Sequence, residues 1–150
     1  MATKRRDPYV QFNFLVDLGN GVTEGPDAGF QEIAEFGLDV TISPYRNGND
    51  KDNGVRKIVG LNNTPDVTLK RGIIGSLALY QWLDQIRNGD QRAARTVVIS
   101  LQNEARTAVA QSWKLLDALI TSYKCGPFNA RGNDVAIETI VLASRRLVVL

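Results

Sequence analysis

Residues 124–142 read KCGPFNARGNDVAIETIVL, and this stretch decides the fold class. Its first part combines a Gly-Pro break with a polar turn that contains a second glycine, which is typical of a connection between strands. Its second part, residues 135–142, is rich in β-branched side chains and predicts a strand in which Ile137 is buried. Glu138 interrupts this apolar run. We therefore expect Glu138 to be a buried or interfacial acid that pairs with an arginine.

The sequence ends on a second aliphatic run, LVVL at residues 147–150. Four aliphatic side chains in water are a liability, since an exposed apolar strand invites pairing with another chain. The run therefore predicts coverage of this segment by another strand or by another copy of the chain.

The composition is that of one globular domain. With 150 residues, of which 23% are charged and 43% are hydrophobic, the chain can bury a sizeable core without a disulfide or a metal. The net charge of +2 comes from scattered basic residues, which disfavours nucleic-acid binding. No apolar run suits a signal peptide or a membrane span, so we expect no membrane insertion. A single cysteine indicates folding in a reducing cytoplasm.

Enzymatic chemistry has little support in this sequence. It contains no histidine, which excludes Ser-His and Cys-His nucleophile pairs and most zinc sites. Cys125 therefore lacks its usual partner. The polar loop at residues 49–60 does not fit a calcium site, because Lys51 stands where a carboxylate ligand is needed. We predict that the protein is not an enzyme and that it holds no cofactor and no metal.

Periodicity elsewhere predicts six or seven strands and one helix. Apolar residues recur at helical spacing from Leu79 to Ile86, between a possible cap at Ser76 and a glycine stop at Gly89. Residues 109–123 fit both a strand and a helix, and their composition favours a helix. Predicted strands occupy residues 9–18, 30–42 with a break near Gly37, 66–72 and 96–101. Asn20-Gly21 is predicted to turn the first into a hairpin, and Pro44 is predicted to end pairing after the second.

A long polar segment, residues 47–54, contains two Asn-Gly pairs and separates two flanking segments, residues 41–46 and 55–61. It predicts a protruding hairpin over residues 41–61, with a disordered surface loop as the alternative. The basic residues near the start predict a flexible arm over residues 1–8. Since no βαβ alternation is present, the chain is predicted to be a single, mainly β domain over residues 1–150, a sandwich or barrel of two antiparallel sheets with one α-helix.

Four stretches, in order along nearly the whole chain, resemble the T4-like tail tube family, the tail tube proteins of contractile phages and phage-like contractile injection systems. The match rests on the strand at residues 9–18, on Tyr45-Arg46-Asn47-Gly48, on VTLKRG (67–72) followed by LYQW (79–82), and on residues 113–142 with their KCGPFNA and NDVAIET segments. The resemblance implies a tail-tube fold in which residues 109–123 are mostly strand. It also implies that six subunits join their sheets into a ring and that rings stack into a hollow tube.

The resemblance implies partners as well. These are further copies of the chain, a surrounding sheath protein, baseplate, tape-measure and terminator proteins, and DNA or an effector protein as lumen cargo. Assembly would occur in the bacterial cytoplasm, before the subunit enters a virion tail or an injection-system particle. The residues predicted to contact neighbouring subunits are Tyr45, Arg46, Asn47, Gly48, Lys70, Arg71 and Glu138. A monomeric β-barrel that binds an apolar small ligand is the competing interpretation.

Overall fold

The computed structural model describes residues 2–150 and, within them, contains nine strands, one α-helix and one short 3-10 helix. In chain order the elements are β1 (Phe14–Asp17), the 3-10 helix (Pro26–Ala28), β2 (Phe30–Ile33), β3 (Asp39–Tyr45), β4 (Arg56–Asn63), β5 (Val67–Gly72), α1 (Ala78–Arg87), β6 (Arg95–Gln102), β7 (Val109–Cys125), β8 (Ile137–Ala143) and β9 (Arg146–Val149). The helix α1 is not long and apolar enough to cross a membrane, and the same holds for every helix of the described chain.

All strand pairs are antiparallel. The strands other than β3 and β4 form two sheets that share β7, and β3 and β4 pair with each other as a separate ribbon. The first half of β7 pairs with β6 and β9, and β1 lies beyond β6. The second half of β7 pairs with β8, followed by β5 and β2. The predicted fold, mainly β with two antiparallel sheets and one helix, is therefore confirmed. A closed barrel is not indicated, because β1 and β2 end the strand order of residues 2–150 without pairing with each other.

The 17-residue strand β7 passes from one sheet to the other near Asp117. Asp117 has a φ of 51°, an uncommon left-handed conformation that aspartate tolerates better than most residues. Its carboxylate accepts a hydrogen bond from the exposed Arg145 side chain at 2.7 Å. The strand expected from the resemblance is confirmed, and the helix favoured by composition is wrong. Pairing with three other strands overrides local helix propensity here.

The core lies between the two sheets, and α1 packs against it. Trp82 of α1 is buried, and its indole nitrogen donates to the carbonyl of Ala93 at 2.7 Å. The Arg95 guanidinium lies 4.5 Å from the centre of the Trp82 ring, and desolvation by burial lowers the pKa of Arg95. Fully buried aliphatic side chains from both sheets complete the core: Leu69, Val97, Leu115, Ile120, Ile140 and Leu142.

The strand predicted in residues 135–142 is present as β8, but its inward face differs from the prediction. Glu138, Ile140 and Leu142 are buried, whereas Ile137 is only half-buried. Side chains alternate between the two faces of a strand, so either the odd or the even positions of β8 face the core. The even positions do, because they include the aliphatic side chains at 140 and 142. The prediction of a buried Ile137 is wrong, and Glu138 is the residue that points inward.

The predicted strand at residues 9–18 is mostly absent, since β1 begins only at Phe14. Alternation in residues 9–18 predicts Phe12 on the buried face and Asn13 on the exposed face, but Phe12 is 69% exposed and Asn13 is buried. The ladder stops there because the partner strand β6 ends at Gln102, where Gln102 N–H donates to the Asn13 carbonyl. The hairpin predicted at Asn20-Gly21 is also wrong. The chain bends at residues 19–21, but β1 pairs with β6, and β2 pairs with β5.

Two strand ends differ from or agree with their predictions. Pro44 does not end pairing, because it lies inside β3 opposite Lys57. This is possible since β3 pairs on one side only, so that the missing N–H of proline is not needed. The C-terminal aliphatic run was predicted to be covered by another strand or by another copy of the chain. Coverage by another strand is confirmed in part. It forms β9, which pairs with β7 and buries Leu147, while Val149 stays half exposed.

Candidate subunit interface

The predicted long hairpin is present as β3 and β4, which pair with each other and with no other strand of the described chain. Every residue of the two strands is exposed. An isolated two-stranded ribbon is marginally stable in water, because it has no sheet or helix against which to bury its side chains. The hairpin is therefore a segment whose stabilising contacts are missing from the single chain.

One face of this hairpin is apolar. Ile42 lies directly opposite Val59, and Val40 follows two residues away on the same side of the ribbon. Leu61, next to an irregularity in the pairing, is 82% exposed. The other face is mixed, since Ser43 lies opposite Ile58 and Tyr45 opposite Arg56. We call Val40, Ile42 and Val59 the apolar hairpin face. Exposed apolar patches of this kind mark interaction surfaces.

The predicted interface residues 45–48 lie together at the hairpin tip. Arg46 donates to the carbonyls of Asp50 (2.7 Å) and Asp52 (3.0 Å), so its guanidinium is used to order the loop. The Tyr45 hydroxyl donates to the Asn47 side chain, and the Asn47 backbone N–H donates to Asp50. Gly48 is exposed and has free space where a Cβ would be. The tip is held by its own hydrogen bonds, and its role in a contact between subunits stays a prediction.

Arg71 and Glu138 form a buried ion pair inside the chain. Their side chains are 1% and 3% exposed, and Arg71 Nε donates to Glu138 Oε1 at 2.7 Å. Register explains the contact, because Arg71 of β5 lies directly opposite Glu138 of β8. Arg71 also donates to the Asp27 carbonyl at 2.8 Å, and Tyr123 donates to Glu138 Oε2 at 2.7 Å. Each residue thus has its partner within the subunit, and their assignment to a contact between subunits is untested.

Tyr123 belongs to the same network and was not predicted from the sequence. Hydrogen bonds to Cys125 and Glu138 raise the pKa of its phenol, so the hydroxyl keeps its proton and acts as a donor. The signal that could have found it is register: Cys125 lies opposite Glu138, and Tyr123 lies two residues away from Cys125 on the same side of β7. Lys70 lies apart from this network. It points to solvent, 3.7 Å from Glu32 of β2.

The N-terminal arm has contacts with β7 and with the loop before it. Thr3 N–H donates to the Ala110 carbonyl at 2.7 Å, and Tyr9 donates to the Thr3 carbonyl. Arg5 stacks on the Tyr9 ring at 3.8 Å and forms an ion pair with Glu104. The Arg5 hydrogen bond lowers the pKa of Glu104 to about 2. These contacts describe one position of the arm, and the predicted flexibility of residues 1–8 stays a prediction.

The apolar hairpin face was missed by the sequence reasoning, which treated this hairpin as polar because of its tip. A usable signal was present, since aliphatic residues alternate at Val40 and Ile42 in one arm and at Val59 and Leu61 in the other. Alternation of this kind normally predicts a strand with one buried face. It appears here on strands that have nothing to bury that face against.

Comparison with known proteins identifies the family of this chain. The model of the T4-like virus tail tube protein gp19 family matches residues 10–148, which is nearly the whole chain. No curated protein matches it.

Solved structures agree with this match. A chain in the cryo-EM structure of the anti-feeding prophage tube-terminating cap is 28% identical, with a TM-score of 0.83, and the alignment covers 100% of this chain and 95% of that chain. A chain in the sheath/tube terminator of PVC, an extracellular contractile injection system, in its extended state is 25% identical, with a TM-score of 0.84. The alignment covers 97% of this chain and 98% of that chain. Hcp1 from Flavobacterium johnsoniae, at 13% identity and a TM-score of 0.58 over 92% and 94%, shares the fold alone.

Proposed function

The chain belongs to the T4-like virus tail tube protein gp19 family, and from this membership we propose that it is the subunit of the inner tube of a contractile phage tail or phage-like injection system. Six copies close into a ring by joining their sheets, and the rings stack into a hollow tube. The lumen conducts DNA or an effector protein. The subunit acts through assembly, and we assign no enzymatic step to it.

The observation that carries this proposal is the β3–β4 hairpin. It extends from the body, pairs only with itself and exposes an apolar face. A monomer gains nothing from such a segment, whereas a neighbouring subunit would cover the apolar hairpin face and remove it from water. Free sheet edges at β1 and β2 support the same conclusion, since pairing between subunits satisfies edges that a lone subunit leaves open.

The proposed contacts between subunits include the residues predicted from the sequence. Tyr45, Arg46, Asn47 and Gly48 lie at the tip, where a projecting hairpin meets its neighbour first. Lys70 lies on an exposed face next to Glu32, and it is a candidate partner for an acid of another subunit. Arg71 and Glu138 contribute to assembly indirectly, by holding β5 and β8 together at the end of the sheet.

The proposed partners follow from the assemblies in which similar chains occur. The anti-feeding prophage structures are of a baseplate and of a tube-terminating cap, and the PVC structures are of a sheath-tube complex and of a sheath/tube terminator. We propose corresponding sheath, baseplate and terminator partners for this chain, together with a tape-measure protein. The subunit would fold in the bacterial cytoplasm and end in the virion tail or the injection-system particle.

The competing function, a small-ligand-binding barrel, has weaker support. An apolar cavity of about 240 Å³ lies between β1 and Phe36, lined in part by Phe14, Ile33 and Trp113. Ligand sites are usually about 300–1,000 Å³ and enclose most of the ligand. This cavity is smaller and opens to solvent at the edge of the sheets.

Size-exclusion chromatography and negative-stain microscopy of the purified protein test the proposal. We expect rings of six subunits, or tubes built from them, with an open centre. A monomer that stays single at high concentration would refute the tube function. A monomer that also binds an apolar fluorescent probe in a one-to-one complex would favour the ligand-binding alternative.

A further inference from the structure

Asn-Gly pairs are places where a peptide chain can modify itself, because glycine has no side chain to shield its backbone nitrogen from the amide of the preceding asparagine. The reaction begins when the glycine nitrogen attacks Cγ of that asparagine. A nitrogen whose N–H is held in a hydrogen bond is less available, since the bond must be broken first. The chain contains four such pairs, all outside its strands and helices: Asn20-Gly21, Asn47-Gly48, Asn53-Gly54 and Asn88-Gly89.

In two of these pairs a carboxylate holds the glycine N–H. Gly21 N–H donates to Asp17 Oδ1 at 3.0 Å. Gly54 N–H donates to Asp52 Oδ1, also at 3.0 Å. A carboxylate in this position also opposes loss of the proton, because the nitrogen would become negative beside a negative charge. Both nitrogens are therefore poorly placed for attack.

The other two pairs differ from each other. Gly89 N–H donates to the Ile86 carbonyl at 3.0 Å, at the end of α1. Gly48 is exposed, and its N–H makes no hydrogen bond within residues 2–150. The turn that contains Gly48 is closed by Asp50 N–H, which donates to the Asn47 carbonyl at 3.1 Å. In the described chain, only this pair combines an exposed glycine with a free N–H.

The surroundings of Asn47 favour the attack as well. The Tyr45 hydroxyl donates to Asn47 Oδ1, the oxygen that gains negative charge as the nitrogen adds to Cγ. Arg46 holds its guanidinium inside the same loop, where a positive charge favours an anionic nitrogen. The Asp50 carboxylate accepts a hydrogen bond from Asn47 N–H and lies 3.7 Å from Arg56, so part of its charge is balanced.

We propose that Asn47 is a self-modification site, which deamidates in preference to the other three Asn-Gly pairs. The Gly48 nitrogen gives its proton to solvent and forms a bond to Cγ of Asn47. The bond from Cγ to the side-chain nitrogen breaks, and that nitrogen takes up a proton and leaves as ammonia. Water then opens the cyclic imide at either carbonyl, which leaves aspartate or isoaspartate at position 47. The sum consumes one water and releases one ammonia, without oxidation or reduction.

The product changes the hairpin tip in charge and in backbone length. Residues 46–54 carry two cations and two anions, so the new carboxylate gives this balanced loop an excess of one negative charge. The isoaspartate form also adds a carbon atom to the backbone just before Gly48, inside the turn that Asp50 closes. The reaction belongs to the chain itself, so this inference stands apart from the proposed tube function.

Trypsin provides a direct comparison, because it places each pair in a different peptide. These peptides are residues 7–46, 47–51, 52–56 and 88–92. Dilute full-length protein is incubated at neutral pH, and fragmentation mass spectrometry of the peptides measures the exchange of amide for carboxyl at each asparagine over time. We expect Asn47 to convert about 10-fold faster than each of the other three, the factor that corresponds to breaking one hydrogen bond.

Gly48→Ala removes the unshielded nitrogen. A Cβ at this position meets nothing within 4 Å, and the φ of Gly48 lies outside the left-handed range, so the turn is retained. Modification of Asn47 should be lost in this variant. Gly54→Ala is the matched control in the same loop, because its Cβ makes only ordinary contacts with Asp52, and it should leave the rate at Asn47 unchanged.

Asp52→Ala tests the cause from the opposite side. It frees Gly54 N–H from its carboxylate acceptor and should raise the rate at Asn53 by about 10-fold. A rate at Asn47 no higher than at the other three sites would overturn the inference, and so would continued modification of Asn47 in Gly48→Ala. An unchanged rate at Asn53 in Asp52→Ala would overturn the explanation by hydrogen bonding. Mass photometry of the same samples reports separately whether the protein forms rings.

Discussion

Glu138 offers the sharpest test at the scale of a single residue. Its carboxylate is buried and satisfied by Arg71 and Tyr123, so Glu138→Gln leaves the Arg71 charge buried without a counter-charge. We expect the free energy of unfolding to fall by about 3–5 kcal/mol, the usual effect of removing one partner of a buried ion pair. Urea denaturation of dilute, dissociated protein measures this change.

Two controls separate the buried pair from charge effects in general. Glu32→Gln breaks the exposed contact with Lys70 and should change the unfolding free energy by less than about 1 kcal/mol. Replacing Arg71 and Glu138 together by leucine should cost less than Glu138→Gln alone, because no charge is then left buried. A Glu138→Gln variant as stable as the unchanged protein would show that water reaches Arg71.

Glu104 gives a pH-dependent prediction. The Arg5 hydrogen bond lowers its pKa in the folded protein to about 2, from an ordinary value of 4.5. A lowered carboxyl pKa stabilises the folded state fully above pH 4.5, and this contribution is lost as the pH falls from 4.5 towards 2. Glu104→Gln should therefore be less stable than the unchanged protein at pH 6, and the difference should vanish near pH 2.

Unfolding curves for the two proteins at several pH values measure this difference. Limited trypsin digestion at pH 7.5 provides a second observable, since the arm contains Lys4, Arg5 and Arg6. Loss of the Glu104 contact should expose these sites and speed cleavage of the arm. Identical pH profiles for the two proteins would mean that the ion pair contributes nothing in solution.

At the scale of elements, the hairpin can be shortened without changing the core, because β3 and β4 contact mainly each other. Deletion of residues 47–54 should leave the unfolding free energy of the body within about 0.5 kcal/mol of its original value. The same deletion should impair stacking of rings, which electron microscopy detects as short tubes. Replacement of residues 47–54 by eight residues of glycine and serine separates the effect of loop length from that of the tip side chains.

The elements also show how far the sequence predicts this fold. The sequence predicts α1, β5 and β6 because the apolar residues of each recur with a single period and mark one buried face. β7 was not, since its pattern fits two periods and only its pairing with β6, β8 and β9 decides between them. The pairing of β1 was wrong for a related reason: Asn20-Gly21 predicts a turn but carries no information about which strand comes next to β1.

Site residues divide in the same way. An acid that interrupts a strand predicts a partner, and Glu138 has one, but identifying Arg71 and Tyr123 requires the register of three strands. The apolar hairpin face was visible as alternation in the sequence. Its exposure could not be predicted, because exposure depends on the absence of a neighbouring sheet.

At the scale of the whole molecule, association should be visible in thermal stability. If the folded subunit binds further copies and the unfolded chain does not, the midpoint of unfolding rises with protein concentration. For a chain of this length, we expect a tenfold increase in concentration to raise Tm by about 3–6 °C. Scanning calorimetry over a hundredfold concentration range measures the shift. A Tm independent of concentration would identify a self-sufficient monomer.

The long strand β7 has a mechanical consequence for such a particle. Its 17 residues form a single peptide backbone that contributes to both sheets, with the bend at Asp117 between them. Force applied to one sheet, for instance by a contracting outer layer, reaches the other through covalent bonds and not only through side-chain packing. The two sheets are therefore joined by the peptide chain of β7 as well as by packing, so the wall of a tube built from this subunit should resist shear between them.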